Sequence, residues 1–426
     1  MRYLLWGVFW SLCFQAAAAQ TPLSEGVASL GERPISEQYD TPSDHYPNFV
    51  FRLDTDFYRA MLDFQNRQTD KHLLILENNA LWAGYPAVTV GGQARLSAFA
   101  AVTNTAGKFS YLGRFPPDFE DKVATDARIL QANAGMTAHV NNWINLHGEL
   151  LFSDVFTFPD FKQGSLQVRQ AYAVLGDLNQ TPWYAVIGKK NVAFGDMGTL
   201  APFTQSVVWH YFGALHEGLS VGYARDGFDF SVTGLNGGRG IRVADSVGRG
   251  KINNFAANVS WRGESEAAQW RFGGGFLLGT IYDVTVAEHL DANAFGPYNS
   301  AWDAYGELRV GNWTLAGEIA ATVDDWPTTG SPVIAYRAEA AYDASFQNRP
   351  ARYSVSWSEG IQGPDGSEFE FNRQLVAGVG IDLGPYAMLS LEYVRSMGFA
   401  PLINITTVSD RNAAQDTAVA GLTIAF

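Results

Sequence analysis

The sequence predicts an all-β fold, a transmembrane antiparallel β-barrel of about sixteen strands. Three observations predict it. Apolar and polar residues alternate with a period of two, short and long connections alternate along the chain, and no run beyond residue 20 approaches the roughly 18 apolar residues of a spanning helix. From Val88 to Val102 the even positions are apolar or glycine, whereas the odd positions from Thr89 to Ser97 are polar or glycine. Since successive side chains of a strand point to opposite faces, this segment has one apolar and one polar face.

The same alternation recurs to the end of the chain. The predicted strands lie near residues 87–103, 127–141, 143–153, 165–176, 183–191, 214–225, 227–236, 253–262, 268–282, 302–310, 312–322, 333–343, 351–358, 371–383, 386–396 and 416–426. Every second connection is a short turn rich in Gly, Asn and Pro, and the connections between are mostly long. Outer-membrane barrels are built this way, with short periplasmic turns and long extracellular loops. A soluble sandwich or propeller needs no such alternation.

The N-terminal region predicts export. Residues 1–19 contain Arg2, an apolar core and three alanines before Gln20, which is typical of a cleaved signal peptide and favours the outer membrane of a Gram-negative bacterium. Residues 20–85 do not alternate, and we expect a periplasmic segment with a possible short helix at 54–68. We expect this helix on the periplasmic rim of the barrel 86–426, and a plug inside the lumen is the alternative.

The last strand carries a candidate barrel-assembly signal. Phe426, Ile424 and Leu422 share one face of this strand, and an aromatic ring at its end suits the membrane interface. We therefore expect the barrel-assembly machinery, outer-membrane lipid and lipopolysaccharide as partners. The formal net charge of −14 argues against nucleic acid.

Sixteen strands enclose an aqueous channel, and charged residues of both signs fall on the predicted inner face. The candidate pore-lining residues are Arg95, His139, His147, Glu149, Arg169, Lys189, Glu307, Glu318, Arg337 and Glu339. His139, His147 and Glu149 share a face, and they also suit metal ligation or acid–base chemistry. Polar residues line any water-filled barrel, so we expect no catalytic residue, metal or cofactor.

One predicted loop is unusually apolar. Residues 192–213 contain Phe194, Phe203, Trp209 and several other large apolar side chains, which would be costly to leave in water. We expect this loop to fold into the barrel and narrow the pore, with Asp196 and His210 near the constriction beside Lys189 and Lys190. The alternative is that it lies across the mouth of the barrel.

Two stretches around this loop resemble the LbtU family of legiobactin-type siderophore porins. They are "VRQAYAVLGDLNQTPWYAVIGKKNVAFGDM" and "HEGLSVGYARDGFDFSVTGLNGG". Ala193 stands where that family usually has proline. The resemblance implies a sixteen-stranded outer-membrane channel and iron–siderophore complexes as one solute class.

The leading functional hypothesis is therefore an outer-membrane porin or channel for passive or selective uptake of small polar solutes. Two alternatives belong to other classes. One is an outer-membrane β-barrel enzyme resembling a lipase, and the other is a structural or adhesin barrel without transport.

Overall fold

The computed structural model describes residues 50–79, 86–109, 119–154, 164–236, 251–285, 297–367, 369–399 and 410–426, all within the unit Val50–Phe426. The expected signal peptide and residues 20–49 and 80–85 of the expected N-terminal segment lie outside the described residues.

Sixteen strands form a closed antiparallel barrel in which each strand pairs with its neighbours in sequence and the last pairs with the first. The barrel strands are β2 (Ala87–Thr103), β3 (Val123–Asn141), β4 (Ile144–Ser153), β5 (Ser165–Leu175), β6 (Trp183–Asn191), β7 (Leu215–Arg225), β8 (Phe228–Asn236), β9 (Ile252–Glu264), β10 (Ala268–Leu277), β11 (Ala301–Val310), β12 (Trp313–Thr322), β13 (Ile334–Phe346), β14 (Arg349–Ile361), β15 (Asn372–Gly384), β16 (Ala387–Phe399) and β17 (Asp410–Ala425). The predicted fold and strand number are confirmed.

The short turns follow from local backbone chemistry. Asp226 and Gly227 both have positive φ, as do Gln347 and Asn348. Two consecutive residues with positive φ form the tight turn whose twist matches that of the flanking strands.

The faces of the strands follow the predicted alternation. On β3, Asn133 and Thr137 are buried on the lumen side, whereas Ala134 and Met136 are exposed on the outer side. Aromatic residues beside the short turns are exposed on the outer wall: Trp143, Trp183, Phe228, Trp261, Trp313 and Tyr386. An apolar outer band with an aromatic girdle is the exterior of a transmembrane barrel.

A short strand and three α-helices complete the described structure. They are β1 (Val50–Leu53), α1 (Thr55–Met61), α2 (Lys71–Glu77) and α3 (Val207–Phe212), and a 3₁₀ turn spans Ile281–Asp283. Strand β1 pairs in parallel with the start of β2. No helix among the described residues is long and apolar enough to cross a membrane.

The C-terminal residue completes the barrel seam. The main chains of Phe426 and Gly92 exchange two hydrogen bonds of 2.8 and 3.0 Å. A Cβ atom on Gly92 would lie 2.4 Å from the Phe426 ring, so only glycine leaves room for the ring there. Ile424 and Phe426 are exposed on the outer wall. Their role, with Leu422, as an assembly signal stays a prediction.

Candidate functional site

Residues 192–213 enter the barrel, where three glutamates of the wall hold their main chain. Glu318 of β12 accepts hydrogen bonds from the amides of Asp196 and Met197, each at 2.8 Å. Glu339 of β13 accepts from the Leu200 amide at 2.9 Å and from the Thr199 hydroxyl at 2.6 Å. Carboxylates thus provide acceptors for loop amides that take no part in a sheet ladder.

The third glutamate lies on a different part of the wall. Glu392 of β16 accepts hydrogen bonds from the Phe203 amide at 2.7 Å and from the Thr204 hydroxyl at 2.6 Å. From β2, Arg95 donates to the Phe203 carbonyl at 2.7 Å and stacks on its ring at 4.4 Å. The loop therefore contacts β12, β13, β16 and β2.

A buried ion cluster fixes the start of the loop. The Arg337 guanidinium contacts Asp196 at 2.6 Å and Glu318 at 2.8 Å, and it also pairs with Glu339. Arg271, which lies on β10, also pairs with Asp196. The side chain of Arg337 is only 2% exposed, so these carboxylates take the place of water around its charge.

A second segment, residues 54–79, also lies inside the barrel. Asp54 caps helix α1 by accepting from the Phe57 amide at 3.0 Å. Tyr58 of α1 is fully buried, and its hydroxyl contacts the Thr89 carbonyl at 3.1 Å and the Thr137 hydroxyl at 2.9 Å. Thr89 and Thr137 are on the lumen side of β2 and β3, so α1 packs on the inner wall, whereas we expected it on the periplasmic rim.

The two segments are hydrogen-bonded to each other. Gln65 donates to the Phe203 carbonyl at 2.9 Å and accepts from the Thr199 amide at 2.8 Å. Thr69 donates to the Gly195 carbonyl at 2.7 Å. We call residues 54–79 and 192–213 together the internal plug.

Glycines on the inner wall lie against aromatic rings of the plug. A Cβ atom on Gly135 would lie 2.2 Å from the Tyr58 ring, and one on Gly421 would lie 2.4 Å from the Phe203 ring. A Cβ atom on Gly360 would likewise lie 2.3 Å from the ring of Tyr211 on α3. Because glycine has no side chain, the wall at these points accommodates an aromatic ring against its main chain.

Gly195 is required for the path of the loop. Its φ of +69° is one that other residues rarely adopt. A Cβ atom there would also lie 2.7 Å from Cγ of Asp303 and 2.8 Å from an oxygen of Glu318.

Burial shifts the titration of the plug. It lowers the pKa of Lys71 to about 8, although Asp63 opposes the shift, and the Lys71 ammonium donates to the Asp63 carbonyl at 2.6 Å. Burial also lowers the pKa of His72 well below 6.5, and the Lys190 charge lowers it further. Burial alone would raise the pKa of Asp70, but the Arg67 guanidinium, 3.0 Å away, holds it well below its ordinary range.

Most of the predicted pore-lining residues lie on the inner wall, where the plug covers several of them. Glu149 pairs with Arg169 at 3.0 Å, and Arg169 stacks on the Phe64 ring of the plug at 4.5 Å. His147 contacts the Thr137 hydroxyl at 3.0 Å, and His139 contacts Asn145. The remaining members on this face are Arg95, Glu307, Glu318, Arg337 and Glu339.

Lys189 does not line the pore, although we expected it to. It shares its face of β6 with Trp183 and Ile187, which are exposed on the outer wall, and its ammonium donates to the Val168 carbonyl at 3.0 Å. The next residue, Lys190, is the buried one on the lumen side. The alternation of β6 therefore places Lys189 outside the barrel.

The two predicted constriction residues occupy different settings. Asp196 belongs to the buried ion cluster, and His210 is half-buried on α3. Within the residues that the structure describes, no group of three or more His, Cys, Asp or Glu side chains is arranged to hold a metal ion. His147 lies beneath α1, since Tyr58 stacks 6.5 Å from its ring.

From the sequence, a lumenal plug at residues 54–68 is only the alternative expectation, and the contribution of Arg271 is not predicted. The inward glycines were a usable signal, because a small residue on the polar face of a barrel strand leaves room for a group approaching from the lumen.

Comparison with solved structures defines the architecture. An anion-selective porin from Comamonas acidovorans has a TM-score of 0.53 and 10% identity, covering 80% of this chain and 100% of that one. The chain has the porin β-barrel fold. The outer-membrane channel DcaP of Acinetobacter baumannii has a TM-score of 0.51 and 13% identity, covering 81% and 100% of the two chains. Salmonella typhi OmpF has a TM-score of 0.51 and 14% identity, and the match covers 80% of this chain and 97% of OmpF. No family model and no curated protein matches the sequence.

Proposed function

We propose that this protein is an outer-membrane channel for small polar solutes, in which the internal plug occupies the lumen and must move before a solute passes. The observation that carries this proposal is the attachment of the loop to the wall. Glu318, Glu339 and Glu392 bind its main chain through hydrogen bonds, and the loop forms no strand pairing with the wall there. Such contacts can break one at a time, whereas a sheet ladder breaks as a unit.

The polar character of the inner wall supports transport. Its charged groups include both signs, and apolar side chains dominate the outer wall only. A polar lumen inside an apolar exterior suits a water-soluble solute. The barrel-assembly role of Phe426 and the outer-membrane location belong to the same proposal.

The solute class rests on the resemblance to siderophore porins. Residues 168–197 and 216–238 carry that resemblance, and the first of these ranges includes the start of the loop. We therefore propose iron–siderophore complexes as the first solutes to test.

Shortening the loop tests the channel proposal. Removal of Gly198–Ser206 deletes the contacts to Glu339 and Glu392, and we expect larger single-channel conductance and faster liposome swelling with large sugars. Removal of the exposed residues 364–366 in another loop is the control and should change neither property. Unchanged conductance in a correctly folded Gly198–Ser206 deletion would contradict a plug that limits passage.

A further inference from the structure

The outer wall carries a band of polar side chains at the end of the barrel opposite the short turns. We call it the arginine band, and its members are Tyr336, Glu359, Arg373, Tyr393, Arg395 and Asp416. Arg373 lies on the outer face of β15, because Gln374 and Val376 beside it are buried on the lumen side. Charged side chains are costly in hydrocarbon, so a band of them at this end of the barrel suits the level of the polar head groups.

The band repeats one arrangement twice. In the first copy the Tyr336 hydroxyl and the Arg373 Nε both donate to Glu359, each at 2.7 Å. In the second copy the Tyr393 hydroxyl donates to Asp416 at 2.6 Å, and Arg395 also pairs with Asp416. In each copy a tyrosine and an arginine share one carboxylate.

The two arginines are neighbours. On strands β15 and β16, Arg373 is opposite Met397 and Leu375 is opposite Arg395, so the arginines occupy diagonal positions on one face. Side chains at diagonal positions of paired strands are within reach of each other when they are long. Glu359 and Asp416 offset part of the repulsion between the two guanidinium groups, and an anion shared by both would offset the rest.

The arginines retain donors for such an anion. Arg373 donates to Glu359 through Nε and Arg395 donates to Asp416 through one Nη, so each guanidinium, which has five N–H donors, retains others. The side chains of Arg373 and Arg395 are 38% and 36% exposed. Planar guanidinium groups bind phosphate through two parallel hydrogen bonds.

The wall below the band is apolar. Leu375, Ala377 and Val379 continue the outer face of β15, and Leu391 and Leu389 continue that of β16. A phosphate bound between the arginines would thus leave attached acyl chains lying along this apolar surface.

We propose that the arginine band binds the phosphate groups of a phosphorylated glycolipid of the lipid A type in the outer leaflet. This rests on the outer-membrane location in the proposed function, but it does not depend on solute passage. The glycolipid fits the pair of arginines because each of its phosphates is a monoester with nearly two negative charges near neutral pH, whereas the phosphodiester of a glycerophospholipid has one.

Native mass spectrometry of the purified full chain tests the proposal. It is titrated with lipid A carrying two phosphates, with lipid A lacking both, and with phosphatidylglycerol. We expect the wild type to bind the phosphorylated lipid A about tenfold more tightly than the dephosphorylated form, and Arg373→Gln/Arg395→Gln to lose this preference. Arg373→Lys/Arg395→Lys keeps both charges and should restore part of it.

Arg349→Gln, at the short-turn end, is the matched control and should leave the preference intact. Should the double glutamine variant not fold, Arg395→Gln alone is used, since Asp416 keeps the Tyr393 hydroxyl. Equal binding by wild type and variant overturns the proposal, and an equal effect with phosphatidylglycerol overturns the assignment to a glycolipid. Conductance of the same variants should be unchanged, which separates a failed lipid site from a failed channel.

Discussion

At the scale of single residues, the wall glutamates act as acceptors for the plug. A buried carboxylate is costly unless hydrogen bonds or opposite charges compensate it. Glu318 has two loop amides and Arg337 as partners, and Glu339 has a loop amide, the Thr199 hydroxyl and the Ser356 hydroxyl. Their role is therefore to position the loop.

Removing the central cation should loosen this arrangement. Arg337→Met leaves Asp196, Glu318 and Glu339 without their shared charge, and breaking a buried pair costs about 3–5 kcal/mol. We expect lower unfolding free energy in denaturant titrations and more frequent channel opening. Arg352→Met is the control, because Arg352 is 38% exposed and its pair with Asp343 contributes at most about 1 kcal/mol. Equal losses in both variants would contradict the central position of Arg337.

The charged residues of the inner wall could be predicted from the sequence, but their hydrogen bonds to the loop could not. Glu318, Arg337 and Glu339 could be placed on the inner wall from period-two alternation alone. Their bonds to residues 196–200 could not be predicted, because they depend on how a loop more than a hundred residues away folds. Lys189 was misplaced because β6 alternates less clearly than its neighbours.

At the scale of elements, the strands could be predicted from the sequence. Of the plug, only the entry of residues 192–213 into the barrel could be. Alternation along β2 and β3 is strong because one face meets lipid and the other meets polar partners. The apolar residues of 192–213 indicated shelter inside the barrel. Helix α1 gave no such signal, since the seven residues Thr55–Met61 bury Phe57, Tyr58 and Met61 as they would on a rim. What distinguishes the two positions is Gly135 on the wall, more than seventy residues away.

The docking of α2 should depend on pH. His72 lies against the Tyr184 hydroxyl at 3.3 Å, and Tyr184 donates to Asp229. The charges that act on the pKa of His72 are those of Lys190, Asp70 and Arg67. The docked pKa of His72 is below 6.5, so the undocked segment binds more protons below that pH. The contribution of His72 to docking is therefore fully present above about pH 6.5 and is lost as the pH falls below that value.

Hydrogen exchange of residues 71–77 measures this effect. After correction for intrinsic rates, we expect protection to fall by about fivefold between pH 6.5 and 5.5. His72→Gln should abolish the change while Asp70 and Asp229 remain. The same pH response in wild type and variant would assign it to another group.

At the scale of the whole molecule, the barrel and the plug have different kinds of stability. The closed ring of sixteen strands satisfies its main chain through sheet pairing around the full circumference. The plug satisfies its main chain through side chains of that ring and through its own contacts, such as the bond from Gln65 to Phe203. A rigid wall with a separately held plug is an architecture in which the plug can move while the barrel stays intact.

A disulfide between plug and wall tests this claim most directly. The Cβ atom of Pro202 lies 3.3 Å from a Cβ atom built on Gly380, close to the separation of about 3.8 Å in disulfides. The only cysteine, Cys13, falls in the expected signal peptide. In planar bilayers, oxidised Pro202→Cys/Gly380→Cys protein should show no opening events, and reduction should restore the wild-type record, while each single variant opens under both conditions. Identical conductance before and after reduction, with the disulfide confirmed by mass spectrometry, would contradict a plug that must move for solutes to pass.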